Sequence, residues 1–322
     1  MNIIKPSYEL MLHNGNPYKH IEKIGRICYR SEDSITETSA EPFCGRMFNS
    51  NHHAMLEHFR FIVAISQSSY KYLLDSPYRR YLTLTHDKQY IVSASARGFH
   101  DIYNNISADI ESGTLNVIDA VKATYTKEVI IDIVHEIIND YHCPMIFAEH
   151  FREYNTTNVD MRIINDFSEL SDHEYNQHAW YSIHFVCDRG VTHEMVRHRD
   201  ASFAQESTRY CNYNKGKFGG EITVVEPLFF ADDMTGHAIW EQAMRDAELA
   251  YLSLIEWGAT PQEARSVLPN SLKTEIVITA QVYEWRHIFN LRVLGTTGAP
   301  HPQIKEVMSP AYEEMIKEGY LK

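Results

Sequence analysis

The sequence predicts an α/β (α+β) fold in which a mixed or antiparallel central sheet is flanked by helices. Two observations predict it: short runs of β-branched and aromatic residues indicate buried strands, and longer patterned stretches between them indicate helices. A third argues against a doubly wound dinucleotide fold, because no G-x-G-x-x-G follows a predicted strand. No repeat or linker is visible, so we expect residues 1–322 to form a single domain.

Four short runs are predicted to be strands, because each is rich in β-branched and aromatic residues. They cover residues 59–66, 180–187, 221–225 and 275–279. Two long helices are predicted over residues 115–139 and 235–257, the second ending at Gly258. A shorter helix is predicted between Pro261 and Pro269, since proline suits a helix start and a helix end.

A further helix is predicted directly after the strand 180–187, starting near Asp188 and carrying Arg197 close to its C-terminal end. Neighbouring side chains on a helix point about 100° apart, so Arg197, His198 and Arg199 would each face a different ligand group. This prediction places a cationic run at a junction of strand, helix and loop.

The composition indicates a globular protein with a large core, since the 322 residues are 44% hydrophobic and 23% charged. The net charge of −13 argues against a general nucleic-acid binder, because such proteins need a basic surface. Five cysteines without C-x-x-C spacing suggest neither a disulfide framework nor a zinc knuckle. With no apolar signal core and no stretch suited to span a membrane, we expect a soluble, cytoplasmic protein.

The densest functional signal is the run 197–210, which holds three arginines, a histidine and several hydroxyl groups in fourteen residues. Neighbouring guanidiniums repel one another unless an anion lies between them, and their planar donors suit phosphate. A solvated, salt-bridged surface turn is the alternative, and the residues by themselves leave it open.

Within this run Arg197, His198, Arg199, Ser207 and Arg209 form the pattern Arg-His-Arg, seven residues, then Ser-x-Arg. The pattern is similar to the signature of the flavin-dependent thymidylate synthases. The resemblance implies that the Arg-His-Arg triplet bridges nucleotide and flavin and that the serine and the last arginine contact the nucleotide. A nucleophilic serine in a Ser-His-acid set is disfavoured, because the arginines favour anion binding over activation of a hydroxyl.

A second cluster, HHAMLEH at 52–58, holds three imidazoles and a carboxylate in seven residues. From the residues alone, a metal site, structural histidines and contact with a cofactor all remain open. The cluster resembles the family's motif His-x-Ser/Thr-x-x-Glu-His, with Ala54 where a hydroxyl is common. The resemblance implies a flavin contact, and it extends upstream to CYRS at 28–31, whose Ser31 would lie near the cofactor.

Two C-terminal motifs complete the resemblance. ARSVLP at 264–269 resembles the family's Ala-Arg-x-x-Leu-Pro, whose arginine, here Arg265, reaches the nucleotide; a surface arginine paired with Glu263 or Glu275 is the alternative. EWRHIFNLR at 284–292 resembles the family's helix that ends in Leu-Arg. The resemblance implies that Arg292 is catalytic and polarises the uracil ring, and a guanidinium there would stabilise negative charge on the ring.

One departure from the family concerns Glu194 and Gln205, which stand where many members have glutamine and glutamate, so we interpret them as an exchanged hydrogen-bonding pair. Glu206 is expected to pair with a nearby arginine. The predicted dUMP-binding residues are Glu194, Arg197, Gln205, Ser207, Arg209, Arg265 and Arg292. The predicted FAD-binding residues are Ser31, His52, Ala54, Glu57, Arg197, His198, Arg199, Gln205, Gln281, His287 and His301. No metal ligands are predicted.

The resemblance implies reductive methylation of dUMP to dTMP, with FAD as redox cofactor, methylenetetrahydrofolate as carbon donor and NADPH as reductant. No cysteine lies in a ligand motif, so we expect a mechanism without an enzyme thiolate. A homotetramer with sites shared between subunits is also implied. Two alternatives stay open: a non-catalytic nucleotide-binding protein, and a metal-dependent phosphohydrolase that uses the histidines of 52–58.

Residues 70–173 match the family's core only near the tripeptide SAR at 95–97. We therefore expect this segment to be a helical insertion at the periphery of the domain.

Overall fold

The computed structural model describes residues 1–13, 15–147, 151, 160–214, 216 and 219–321. Its strands are β1 (Asn2–Ile4), β2 (Ser7–Met11), β3 (Arg60–Ala64), β4 (Thr83–His86), β5 (Tyr90–Ser95), β6 (Arg162–Ile163), β7 (Trp180–Asp188), β8 (Ser202–Gln205), β9 (Thr223–Val225) and β10 (Lys273–Gln281). Its α-helices are α1 (Pro17–Tyr29), α2 (Ala40–Asn49), α3 (Gln67–Leu74), α4 (Ala96–Ser112), α5 (Val117–Tyr141), α6 (Asp172–His178), α7 (Arg189–Met195), α8 (Met234–Trp257), α9 (Pro261–Ala264), α10 (Val282–Phe289) and α11 (Pro302–Lys317).

The central sheet has the strand order β2-β7-β10-β8, and each neighbouring pair is antiparallel. Strands β7 and β10 pair along their whole length, from Lys273 opposite Asp188 to Gln281 opposite Trp180. A second antiparallel sheet has the order β4-β5-β3-β6, and β1 and β9 form a parallel pair. The predicted α/β class, with mixed or antiparallel sheets among helices, is confirmed.

The long predicted helices are confirmed as α5 and α8, with ends within two residues of the prediction. The side chains of Asn116 and Asp233 cap their first turns by accepting backbone N–H bonds. Gly258 ends α8 in the left-handed conformation, with φ of 107°, which glycine adopts without strain.

The four predicted strands are present with altered ends. The runs 59–66 and 180–187 correspond closely to β3 and β7, whereas β9 starts two residues later than predicted. Strand β10 extends the run 275–279 by two residues at each end. The extension was not predicted because the prediction relied on apolar residues, and the strand ends in the polar residues Lys273 and Gln281.

The segment 70–173 needs correction. Its helical content is confirmed by α4 and α5, but it also supplies strands β4, β5 and β6. Strand β5 pairs with β3 over five residues, and Phe99 and Ile102 of α4 are fully buried. The expected peripheral position is therefore wrong, because this segment builds most of the second sheet and part of the core.

The helix expected to carry Arg197 also needs correction. Helix α7 begins where the Asp188 side chain accepts from the Val191 N–H, and it ends at Met195. The chain then tightens, since the N–H groups of Arg197 and His198 bond to carbonyls only three residues back. The cationic triplet thus lies in a turn that leads into β8.

Buried hydrophobic residues form one large cluster, from Met11 to Leu321 along the chain, and a smaller one around Tyr251 of α8. Among the described residues, none of the helices has both the length and the apolar character required to cross a membrane. The division of the chain into domains stays a prediction.

Candidate functional site

Arg292 is the centre of a polar network that joins three predicted site residues. It lies in a π-helical turn, Asn290–Leu294, that continues α10. Its Nε donates to Nε2 of His198 at 3.2 Å, and its Nη1 and Nη2 donate to the side chain (2.6 Å) and backbone carbonyl (3.1 Å) of Glu194. These bonds use three of its five N–H donors, so one N–H on each terminal nitrogen is left for a ligand.

His198 is buried, whereas its neighbours Arg197 and Arg199 are exposed. Its Nδ1 lies 3.5 Å from the Glu284 carboxylate, and the His287 ring packs edge-on against it with centroids 5.7 Å apart. Because Nε2 accepts from Arg292, we assign the ring proton to Nδ1, which faces Glu284. The middle residue of the triplet is therefore buried and the outer two are exposed, and their contacts with different ligand groups stay a prediction.

The nitrogen and oxygen atoms of His198, Glu284 and His287 lie within 4.8 Å of one another, close enough to hold a metal ion. A cation there would need the Nδ1 lone pair of His198, and the ring proton would then move to Nε2, against the N–H of Arg292. It would also lie close to the Arg292 charge. We therefore assign this group to the orientation of Arg292.

The histidines of 52–58 do not converge on a metal position. His52 Nδ1 lies 3.0 Å from the Tyr29 hydroxyl, and His53 Nε2 lies 3.2 Å from the Phe48 carbonyl oxygen. His58 is fully buried, with Nδ1 2.7 Å from the Thr279 hydroxyl. Since each imidazole faces a different element, the metal alternative for this cluster is not supported by the geometry.

Tyr29 connects three of the predicted motifs. It precedes Ser31 by two residues, bonds to His52, and packs its ring 5.9 Å from that of Tyr210. Ser207, close to Tyr210 in the chain, donates its backbone N–H to the carbonyl of Cys28 at 3.1 Å. The structure thus brings together the segments around residues 30, 52 and 208, which are far apart in sequence.

Arg265 lies beside the Ser-x-Arg segment. Its Nη1 donates to the Thr208 hydroxyl at 3.5 Å, and the two residues line a cleft of about 490 Å³. We call this the Arg265 cleft; it is lined by Arg189, His193, Thr208, Gln262, Arg265, Ser266, Leu268, Pro269 and Asn270. The pairing considered with Glu263 or Glu275 is absent from the described residues, since Glu263 caps α9 and Glu275 pairs with Arg30 and Lys273.

Gln205 and Glu206 have partners that the sequence did not indicate. The Gln205 amide nitrogen donates to the hydroxyls of Thr192 (3.0 Å) and Thr274 (3.3 Å), so donation from this nitrogen to a ligand would replace one of those bonds. Glu206 was expected to pair with an arginine, but its carboxylate pairs with Lys273 of β10 at 3.1 Å. The two residues are 67 positions apart, and only the pairing of β8 with β10 brings them together.

A second cleft, of about 470 Å³, gathers the predicted flavin residues Glu57, Arg199 and Gln281. We call it the Arg60 cleft; it is lined by Glu57, Arg60, Arg80, Tyr81, Leu82, Thr83, Ser95, Arg97, Gly98, Asp101, Arg199, Asp200, Ala201, Ser202, Gln281 and Tyr283. The sequence reasoning missed Arg60 and Arg80, although Arg60 is a charge inside an apolar run. Glu57 bonds to Arg97 at 2.6 Å, and the Gln281 amide donates to Thr83 at 3.0 Å.

His301 and Ala54 occupy less informative positions. His301 precedes α11 and packs on Phe229 with ring centroids 5.6 Å apart. In the described part of the chain it has no hydrogen bond or ion pair with the other predicted flavin residues. Ala54 is half-buried and packs against the large hydrophobic cluster.

The cysteines and Ser207 are poor nucleophiles in this arrangement. All five cysteines are buried, and burial raises the pKa of Cys28 to about 12 and the pKa values of Cys44, Cys143 and Cys187 above their usual range. The ring nitrogens of His198 face Arg292 and Glu284, so the ring is not placed to activate Ser207. Both observations agree with a mechanism that uses no enzyme nucleophile.

Comparison with known proteins covers the motifs from residue 197 onward. The family model described as "Thymidylate synthase complementing protein" matches residues 116–318, well over half of the chain. The chain belongs to this family. Because the match begins at 116, it includes the second half of the segment expected to be an insertion.

Three relatives illustrate the similarity, and each is named flavin-dependent thymidylate synthase. The Pyrococcus furiosus protein is 32% identical over 142 residues, which are 44% of this chain and 56% of the relative. The Pyrococcus horikoshii protein is 34% identical over 147 residues, 45% of this chain and 58% of the relative. The Geobacter sulfurreducens protein is 35% identical over 104 residues, 32% of this chain and 43% of the relative. The matches thus span about half the length of these relatives.

Proposed function

We propose that this protein is a flavin-dependent thymidylate synthase that methylates dUMP reductively to dTMP. The observation that carries the proposal is the Arg292 network, in a chain of this family. Glu194 and His198 hold the guanidinium at three donors, so its orientation is fixed before substrate binds. Preorganised donors of this kind stabilise charge that develops on a bound ring without reorganisation.

In this proposal Arg292 is the catalytic residue and faces the uracil ring with its two remaining N–H donors. The ring accumulates negative charge at N3 and O4 when C5 acts as a carbon nucleophile, and a guanidinium there lowers the energy of that state. Glu194 positions Arg292 and contacts the nucleotide. The buried His198 accepts from Nε and keeps the plane of the guanidinium fixed.

The nucleotide phosphate is proposed to bind between the Ser-x-Arg segment and the Arg265 cleft. Arg265 donates a hydrogen bond to Thr208, and Arg209, the residue after Thr208, is exposed. Guanidiniums offer paired donors to phosphate oxygens, and the Ser207 hydroxyl adds a neutral donor. Arg197 and Gln205 complete the proposed dUMP set, with the Gln205 amide exchanging its threonine bonds for a ligand bond.

FAD is the proposed cofactor, and the residues present fit a phosphate-bearing flavin. The Arg60 cleft is lined by four arginines and three carboxylates in a chain whose net charge is −13. Residues proposed to hold FAD are Ser31, His52, Ala54, Glu57, Arg197, His198, Arg199, Gln205, Gln281, His287 and His301. When bound, the flavin supplies the hydride transfer that no side chain can perform.

Further parts of the proposal concern the co-substrates and the assembly. Methylenetetrahydrofolate is the proposed carbon donor, NADPH the reductant and the cytoplasm the location. A homotetramer is supported by exposed apolar residues on two helices, Val117, Ile118 and Val121 of α5 and Ile239 and Trp257 of α8. Exposed apolar surface of this kind commonly marks protein interfaces.

The test is the visible absorbance of the purified protein with and without added FAD, followed by NADPH in the presence of dUMP. We expect flavin bands that bleach on reduction, and tritium release from labelled dUMP when the folate is added. A protein that retains no flavin bands after unbound FAD is removed would contradict the proposal and favour the nucleotide-binding alternative. Chelator-sensitive phosphate release would favour the phosphohydrolase.

A further inference from the structure

The backbone of Arg60 is fixed at the edge of the Arg60 cleft by contacts with two sheets. It is the first residue of β3 and pairs with Ser95 of β5. Its backbone carbonyl accepts from the indole Nε1 of Trp180, the first residue of β7, at 3.0 Å. Both sheets therefore fix the position from which this side chain enters the cleft.

The Arg60 guanidinium has few partners for its charge. Its Nη2 donates to the Thr83 hydroxyl at 3.5 Å, and its buried Nε has no hydrogen-bond partner in the described part of the chain. No carboxylate among the described residues forms an ion pair with it. Burial lowers the pKa of Arg60 to about 10, so the group is still charged at neutral pH.

The carboxylates of the cleft are committed to other groups. Glu57 accepts from Arg97 at 2.6 Å, and Asp101 lies 3.4 Å from Nε of the same arginine. Asp200 accepts from the Tyr283 hydroxyl at 3.2 Å. A half-buried guanidinium without its own anion is unfavourable, because few contacts replace the water it has lost. Arg80 and Arg199 line the same cleft and add positive charge.

We propose that Arg60 binds a phosphate group of the flavin cofactor and so selects a phosphorylated flavin over riboflavin. The inference rests on the proposed function, and it assigns a role to a residue outside the motifs that predicted the flavin site. The planar fork of arginine suits two phosphate oxygens at once. Arg80 and Arg199 are placed to share the remaining charge of that group.

The test compares Arg60→Gln and Arg60→Lys with the wild-type protein in titrations with FAD and riboflavin. Loss of a charge-assisted contact should weaken FAD binding about tenfold to a hundredfold in Arg60→Gln, and riboflavin affinity should not change. Arg60→Lys should lie between, because lysine keeps the charge but not the fork. The salt dependence of FAD affinity should also become weaker in Arg60→Gln. Arg162→Gln, at an exposed pair with Glu169, is the matched control.

A second measurement separates ligand binding from a structural role. If the Arg60 charge serves to bind a ligand, it is uncompensated in the flavin-free protein. Arg60→Met should then raise the melting temperature of the flavin-free protein and weaken FAD binding. Wild-type FAD affinity in Arg60→Gln would overturn the inference, and so would equal losses of FAD and riboflavin in a less stable protein. A wild-type protein that binds neither flavin would instead contradict the proposed function, and the inference with it.

Discussion

The two ends of strand β10 hold charged groups in opposite situations. At its start, Lys273 and Glu275 belong to a group of paired charges that includes two buried carboxylates, Glu206 and Glu275. At its end, Gln281 borders the Arg60 cleft, where several arginines have no carboxylate partner among the described residues. The two ends are separated by eight residue steps, about 27 Å at the rise of an antiparallel strand.

The group at the start, which we call the entry cluster, consists of Arg30, His184, Glu206, Lys273 and Glu275. Lys273 contacts both carboxylates, at 3.1 Å from Glu206 and closer to Glu275. Arg30 also pairs with Glu275, and His184 Nε2 lies 2.9 Å from it. These side chains come from β7, from β10 and from the residues that directly follow α1 and β8. The cluster therefore joins four parts of the chain through contacts among its own side chains.

The difference suggests a criterion that separates charges that stabilise the fold from charges that bind a ligand, namely whether the protein itself supplies the partner. A buried ion pair needs its partners within the protein, and removal of one partner leaves the other without compensation. A cation that lines a cleft and has no carboxylate partner lowers the stability of the free protein, and binding of an anion compensates its charge. Residue type does not separate these cases, because both ends combine arginine or lysine with glutamate.

The largest effect on stability is expected at the entry cluster. Lys273→Met leaves the buried Glu206 without a cation, and the free energy of unfolding should fall by about 3–5 kcal/mol. Denaturant unfolding measures the change, and Lys317→Met, at the exposed pair with Glu318, should lie within about 0.5 kcal/mol of wild type. Adding Glu206→Gln to Lys273→Met should recover part of the loss. A loss below about 1 kcal/mol would show that the cluster is not structural.

The largest effect on activity is expected beyond the other end of β10, at Arg292. Arg292→Gln should lower kcat for dTMP formation about 100- to 1,000-fold, because one preorganised donor group is lost. Flavin absorbance should be retained, since the variant removes no proposed cofactor ligand. Arg245→Gln, in a surface pair with Glu241 on α8, serves as control. Near-normal turnover in Arg292→Gln would remove this residue from the mechanism.

The pH dependence of stability at His178 reports on the Arg60 end of the strand, because the Arg60 charge lies close to this histidine. Burial and the nearby Arg60 charge lower the pKa of His178 to about 3, and its ring nitrogens lie 2.8 Å from the hydroxyls of Thr85 and Ser93. As pH falls below about 6.5, His178 becomes protonated in the unfolded chain, whereas in the folded chain it stays unprotonated down to about pH 3. Stability should therefore fall with decreasing pH, with about 1.4 kcal/mol per pH unit from this group.

The measurement is the pH dependence of unfolding between pH 6 and 4 in wild type and His178→Gln. The variant should show a shallower slope, by about the contribution of one proton. Other buried histidines, including His20 and His58, contribute equally to both proteins and cancel in the difference. Equal slopes would show that His178 is protonated in the folded state.

Sequence alone predicted the parts of the molecule that depend on local pattern. Helix α8 shows its cap and its glycine stop, and β7 is rich in aromatic and β-branched residues. Arg292 was selected by the spacing of a motif, and its catalytic role stays a prediction. The end of α7 was missed, because backbone bonds that tighten the last turn leave no mark on side-chain periodicity. The cleft around Arg60 was missed because its lining residues come from β3, β4, β5 and α10, which are far apart in sequence.

The smallest of these effects is expected at Glu194, where a paired charge lies within the candidate site. Its carboxylate accepts from Arg292 at 2.6 Å, so Glu194→Gln weakens the contact that orients the guanidinium but keeps an acceptor oxygen. The KM for dUMP should rise about tenfold, with a smaller change in kcat. If carboxylate and amide are exchanged between positions 194 and 205, adding Gln205→Glu should restore much of the affinity. Steady-state kinetics decide the matter, with Glu318→Gln as surface control. An unchanged KM in Glu194→Gln would refute the exchange and would move Glu194 into the same class as the entry cluster, a charge whose role is to hold a neighbouring side chain.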